Sequence, residues 1–215
     1  MTGSPDTATK PRNKRGSTRA RMLSSAVEVL RERGAAGVTI DEVLARSEAP
    51  RGSVYHHFPG GRRQILMEAL RYAGDKIGDA IGAESSDSAW NLVERFVGFW
   101  EHVLAGSDFA AGCPVVAVAV AAPDEEPDLA AAAAVIFDRW RAALTANFIA
   151  DGFDESDASS LAVMCIAALE GAVVLCRSSR SVDPLRDVAR QLEFLIKSRE
   201  FVRRNGVPGV SRPAP

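Results

Sequence analysis

The sequence predicts an all-α protein with a three-helix helix-turn-helix unit at the front and a larger helical domain behind it. Three observations carry this. Apolar residues recur at three- and four-residue spacing along most of the chain, no stretch alternates convincingly as a half-buried strand does, and two short helical segments near the front sit between strong helix-ending signals.

Taken in order, residues 1–16 are rich in Thr, Pro, Lys and Arg and lack apolar periodicity, which predicts a disordered basic arm. A first helix is expected from Ser17 or Thr18 to about Arg33. Met22, Leu23, Ala26, Val27 and Leu30 share one face of it, and Gly34 supplies a stop. Thr39-Ile40-Asp41-Glu42 is a capping box, in which the Thr hydroxyl accepts from the third helical N–H while Glu42 reaches back. The second helix lasts only to about Arg46 because Pro50 follows. A third, Pro50 to Phe58, opens on a proline where no N–H is needed and closes on Pro59-Gly60-Gly61. Both are below the roughly 12 to 15 residues at which a helix is marginally stable alone, so they must pack on the first. Residues 17–63 therefore form a helix-turn-helix domain.

Residues 64–204 form the second domain. A helix from Arg62 runs to about Ile81, and Ser88 caps one carrying Leu92, Phe96, Phe99 and Val103. A short apolar segment spans Gly112 to Ala122. Pro127 starts a long helix that stops near Gly152, and two more follow, Ser156 to Ser178 and Pro184 to Arg203. Residues 205–215 read as a disordered tail.

The 215 residues are 47% hydrophobic and carry a net charge of −2, which suits a globular protein. That balance hides an asymmetry: up to Arg63 there are 12 Lys and Arg against 6 Asp and Glu, a net of +6, leaving −8 behind. A basic front on an acidic body suggests that the front meets a polyanion, although a solvated basic tail has the same signature. The longest apolar runs fall short of the roughly 20 residues of a membrane helix, so a soluble, cytoplasmic protein with no membrane partner is expected. Cys113, Cys165 and Cys176 fit neither a disulfide framework nor a zinc spacing, and His56, His57 and His102 form no ligand cluster. No metal and no cofactor are expected. With no Ser/His/Asp or Cys/His arrangement in view, neither is an enzyme.

Within the third helix Val54 and Phe58 face the core, which exposes Arg51, Gly52, Ser53, Tyr55 and His56. These suit a major groove: Arg51 for phosphate or guanine, Ser53 for either, Tyr55 for phosphate, His56 for a base edge, and Gly52 for close backbone approach. The bland alternative is a merely decorated surface helix. The stretch Thr18 to Leu70 resembles the DNA-binding domain of the TetR/AcrR family, and APRGSVYHHFPGGRRQI resembles the LmrA/YxaF-like branch in particular. The resemblance implies a homodimeric helical repressor with a divergent C-terminal ligand-binding and dimerisation domain. It implies that Thr39 places a helix N-terminus on phosphate, that Arg51, Ser53, Tyr55 and His56 form the recognition surface, and that Arg62 contacts phosphate at the start of helix four. Two positions depart from the family pattern. Glu48 stands where a turn glycine is usual, and Arg63 replaces an acidic residue.

From Leu161 to Cys176 every residue except Glu170 is apolar or glycine, so both faces of that helix should be covered. One explanation is a two-fold four-helix interface using Leu161, Leu169 and Val173 with Leu185, Leu192 and Leu195 of the next helix. The other is a central helix of a monomer. The resemblance implies the former, and an apolar effector cavity as well. Candidate lining residues are Phe96, Trp100, Phe137, Trp140, Met164 and Glu170, although aromatics at helical spacing more often fill core. Glu170 stands out because a buried carboxylate must find a partner or stay protonated. Cys113, at a helix start, is a candidate for a dipole-activated thiolate or a quiet buried thiol. The expected function is that of a repressor released from a pseudo-palindromic operator in double-stranded DNA by a small, largely apolar effector. The alternatives are an architectural DNA-binding dimer without a ligand and a helical enzyme.

Overall fold

The computed structural model describes residues 14–82, 88–121 and 126–205; most of the basic arm and the tail beyond Asn205 lie outside them. Among the described residues there are nine α-helices and no strand: α1 (Lys14–Gly37), α2 (Ile40–Ser47), α3 (Val54–His57), α4 (Gly61–Gly82), α5 (Ala89–Gly106), α6 (Pro114–Ala121), α7 (Pro127–Ala150), α8 (Glu155–Ser179) and α9 (Asp183–Asn205).

The front helices form where the local signals place them, with two differences. The first helix starts at Lys14, so the last three residues of the expected arm are helical. It also resumes past Gly34, whose φ of 70° breaks the run that ends at Arg33. The third element is shorter than expected: Arg51–Ser53 winds as a 3-10 turn after an extended Pro50, and only Val54–His57 is α-helical. Thr39 Oγ1 accepts from the Glu42 N–H at 3.1 Å, which is half of the capping box. Glu42 does not reach back; its carboxylate pairs with Arg46 at 2.8 Å and Arg33 at 3.3 Å. Ser88 and Asp154 cap α5 and α8 in the same manner as Thr39.

The head closes over Met22, Leu30, Val43, Val54, Phe58 and Leu66, all buried, with the Arg19 guanidinium 4.8 Å above the Phe58 ring. That core continues into the body along α4, which packs on α7 at Gly74. A Cβ there would stand 2.7 Å from Ile136 Cδ1, and the Gly74 carbonyl accepts from Trp140 Nε1 at 3.2 Å. A second junction joins α1 to the start of α6: Gly112 N–H donates to the Arg31 carbonyl at 2.9 Å, and Arg177 of α8 donates to the Glu32 carbonyl at 3.3 Å. Head and body are therefore joined through the shared helix α4 and through bonds from the end of α1.

By length and composition alone α8 is apolar enough to cross a membrane, although its uninterrupted apolar run is broken by Glu170. Its inner stripe of Leu161, Cys165, Leu169, Val173 and Cys176 is buried against α7 and α9. Its other side, with Val163, Met164, Val174 and Leu175, stays exposed in the single chain.

Candidate nucleic-acid interface and buried cavity

The exposed side of the third element is built from the turn upward. Val54 and Phe58 are fully buried, four residues apart, and this pins the intervening side chains outward. Tyr55 is 64% exposed, with its ring edge 3.6 Å from where a Gly61 Cβ would be, and His56 is exposed beside the His57 ring at 5.0 Å. Nothing lies within 4 Å of a Cβ at Gly52. Arg51 pairs with Asp41 of α2 at 2.9 Å, and both side chains stay mostly in solvent. Ser53 Oγ donates to the Pro50 carbonyl at 2.6 Å. Thr39, at the start of α2, is exposed. Glu48 ends α2 in the left-handed region, at φ 51° and ψ 35°, as a turn glycine does.

Arg62 is placed differently from expectation. Its Nε donates to the Val38 carbonyl at 2.8 Å, one terminal nitrogen to the Ala35 carbonyl at 2.8 Å, and the other to Glu126 at 2.7 Å. These acceptors lie at the end of α1, in the turn before α2, and just before α7. The residue expected on phosphate thus ties the head to the body, and the guanidinium is taken up by protein oxygens. Arg63 likewise pairs with Asp128 of α7.

The body holds an apolar cavity lined by Leu92, Val93, Phe96, Trp140, Leu144, Cys165, Ile166, Leu169 and Glu170. It encloses about 10 Å3, the lower bound for one water molecule. Of the candidate lining residues, Phe96, Trp140 and Glu170 meet here. Trp100 and Phe137 stand behind them, edge-on to Phe96 at 6.1 Å and to Trp140 at 5.4 Å. Met164 does not belong to the cavity: it is 50% exposed on the outside of α8. Helical geometry places it there, since Met164 is one residue, or about 100°, from Cys165.

Glu170 is buried, and neither of its carboxylate oxygens has a hydrogen bond of ordinary geometry; the Cys113 thiol is a weak donor beside it. Burial pushes its pKa from the ordinary 4.5 up to about 7, with the neighbouring Cys113 thiol pulling slightly the other way. Cys113 is itself buried, and burial followed by the nearby carboxylate pushes its pKa well up. The helix start therefore does not yield an activated thiolate. Cys165 is pushed up by burial to about 12. Among the described residues no group of three or more His, Cys, Asp or Glu is arranged to hold a metal ion.

The residues expected at a dimer surface divide by face. Leu161, Leu169, Val173, Leu185 and Leu192 are buried within the single chain, and Leu195 is half-buried. Because α8 is apolar on both sides, its sequence does not say which side faces inward. The outer apolar residues are Val163, Met164, Val174 and Leu175 on α8, with Phe194, Phe201 and Val202 on α9. Phe194 is 72% exposed.

A compact head that offers Arg51 to His56 to solvent, joined to a helical body with its own cavity, defines a helix-turn-helix regulator. Residues 22–69 match the family model "Bacterial regulatory proteins, tetR family", and residues 89–191 match "Transcriptional regulator LmrA/YxaF-like, C-terminal domain". The chain is 44% identical over 184 residues to the uncharacterized HTH-type transcriptional regulator Rv0196 of Mycobacterium tuberculosis, covering 83% of this chain and 93% of that one. It is 26% identical over 186 residues to the HTH-type transcriptional regulator LmrA of Bacillus subtilis, covering 85% and 98%. Similar solved structures include a regulatory protein TetR from Rhodobacter sphaeroides, with a TM-score of 0.71 and 22% identity over 81% of this chain and 96% of that one. A cysteine mutant of the TetR-family regulator CifR, complexed with 26-base-pair operator DNA, has a TM-score of 0.66 and 19% identity over 89% and 98%. The chain belongs to the TetR family of bacterial transcriptional regulators, with an LmrA/YxaF-like C-terminal domain. Its relatives are regulators of transcription, not enzymes.

Proposed function

We propose that two copies of this chain form a repressor that reads a pseudo-palindromic operator and leaves it when a small, largely apolar effector enters the body. The observation that carries DNA reading is the outward set Arg51, Gly52, Ser53, Tyr55 and His56 above a fully buried Val54 and Phe58. The exposed Arg51–Asp41 pair contributes little, roughly 0–1 kcal/mol, so phosphate or a guanine edge displaces Asp41 at small cost. Thr39 presents the start of α2 to a phosphate. Arg62 acts one step back, by fixing the end of α1 and the turn that leads to Thr39.

The dimer uses the outer apolar residues of α8 and α9, with Leu195 at the edge of the patch. An apolar surface of that extent is a contact surface in most proteins. A two-fold pair then sets its recognition elements about one duplex turn or somewhat more apart. The effector acts by binding better to a spacing of the heads that no longer fits both half-sites, with a coupling of roughly 1–3 kcal/mol. One observation favours a second reading, an architectural DNA-binding dimer without a ligand: the cavity as it stands has room for about one water. The uncompensated carboxylate inside it favours the effector reading.

The test is selection of duplexes from a random pool by the full chain, followed by titration of the selected operator. The reading requires a pseudo-palindrome, two chains per duplex, and weaker binding of all sequences by Tyr55→Ala. His56→Ala and Ser53→Ala should instead change sequence preference. No selected sequence, or equal loss from all three variants, would count against it.

A further inference from the structure

Glu170 is out of keeping with its surroundings. It is buried on α8, neither oxygen has a hydrogen bond of ordinary geometry, the Cys113 thiol acts on it as a weak donor, and the other residues that line its cavity are apolar apart from Cys165. A carboxylate in that position raises the free energy of the closed body unless it holds a proton. Cys113, the polar group that faces it, is a weak donor held in its thiol form. Arg31 of α1, the cation that interacts with Cys113, is partly desolvated and lies 6.0 Å from the Phe99 ring.

We propose, building on the effector reading, that the cavity takes an apolar molecule bearing a single protonated amine, which Glu170 binds as a carboxylate. The apolar part lies against Phe96, Trp140, Leu144 and Ile166, and the ammonium donates to the two carboxylate oxygens that the protein leaves unmatched. A charge-assisted bond of this kind is about twice as strong as a neutral one and is strengthened further in a low-dielectric site. Since the cavity holds about one water when closed, the ligand must open it. Relief of the unpaired carboxylate is what favours the open arrangement once the amine is inside. Ligand selectivity therefore rests on Glu170 and affinity on the apolar walls.

The experiment compares 4-phenylbutylamine with 4-phenylbutan-1-ol, similar in shape and differing in charge, on the full-length protein at pH 8. Binding is read by quenching of tryptophan fluorescence, since Trp140 lines the cavity, and by the rise in Tm. The proposal predicts that the amine binds at least roughly ten times more tightly than the alcohol. Glu170→Gln should erase that preference and leave the alcohol unchanged. In the unaltered protein, amine affinity should fall as pH is lowered through about 7, where the carboxylate takes up a proton, while alcohol affinity should not. This arm needs no variant to fold. Equal binding of the two compounds, a preference that survives in Glu170→Gln, or no binding of the amine overturns the proposal. The effector reading is judged separately, by the anisotropy of labelled operator in the same titrations: an amine that binds through Glu170 and leaves DNA affinity untouched sinks that reading alone, and release by the alcohol as readily as by the amine sinks only the charge assignment.

Discussion

At the scale of the residue, two side chains decide how the protein behaves. Glu170 has a pKa raised from 4.5 to about 7 in the folded chain, so between those values the folded state keeps a proton that the unfolded state has lost. The protonated carboxyl therefore stabilises the fold fully below about pH 4.5, and that contribution disappears as pH rises through about 7. At about 1.4 kcal/mol per tenfold change in proton affinity, the loss is on the order of 3 kcal/mol. Urea unfolding of the protein and of Glu170→Gln at pH 5 and pH 8, at one protein concentration, checks this: the variant should gain on the parent by that order at the higher pH. An equal difference at both pH values would mean that the carboxyl is solvated or paired. Arg62 makes the opposite kind of contribution, because its loss strands the Ala35 and Val38 carbonyls and Glu126. Arg62→Ala should cost about 1–3 kcal/mol of stability through those unmet acceptors. It should leave the salt dependence of DNA binding near that of the parent, whereas a phosphate contact would reduce the slope by about one ion per site.

At the scale of the element, the turn between α2 and the third element carries a cost that is open to test. Glu48 holds φ 51°, where a side chain is disfavoured by roughly 1 kcal/mol, so Glu48→Gly should raise the unfolding free energy, read by urea denaturation, by up to that amount. If DNA lies against this turn, loss of a carboxylate should also tighten operator binding. The turn was legible in the sequence because Pro50 follows so closely, and the helix starts at Thr39, Ser88 and Pro127 were legible from capping chemistry. The faces of α8 were not. Periodicity locates a buried stripe only when a polar stripe opposes it, and α8 is apolar all round, so Leu161 and Val173 read like Val163 and Leu175. Nor was the destination of Arg62, since its acceptors are backbone carbonyls 24 and 27 residues back and a carboxylate 64 residues ahead. Spacing along a chain carries no such information. Glu170, by contrast, was visible as the single charge in a long apolar run.

At the scale of the whole molecule, head and body share one core and are also bonded at Gly112–Arg31 and Arg62–Glu126. These bonds give the proposed effector response a physical route from the body near Cys113 and the start of α7 to the recognition face. The proposed dimer face is testable apart from the core: Phe194→Glu or Leu175→Glu should give a folded chain that sediments as a monomer, because each charge enters a surface that is exposed in the single chain. Leu161→Glu should instead unfold the chain, since it places an unpaired charge in the core. If the outer-face variants remained dimeric, the surface would be misassigned. Operator reading requires the α3 face to act within a two-fold pair. Sedimentation equilibrium of the full chain with a duplex selected from a random pool tests that requirement most directly. The prediction is two chains on each pseudo-palindromic duplex and binding abolished by Tyr55→Ala combined with Arg51→Ala; a single chain per duplex, or undiminished binding by that double variant, would contradict it.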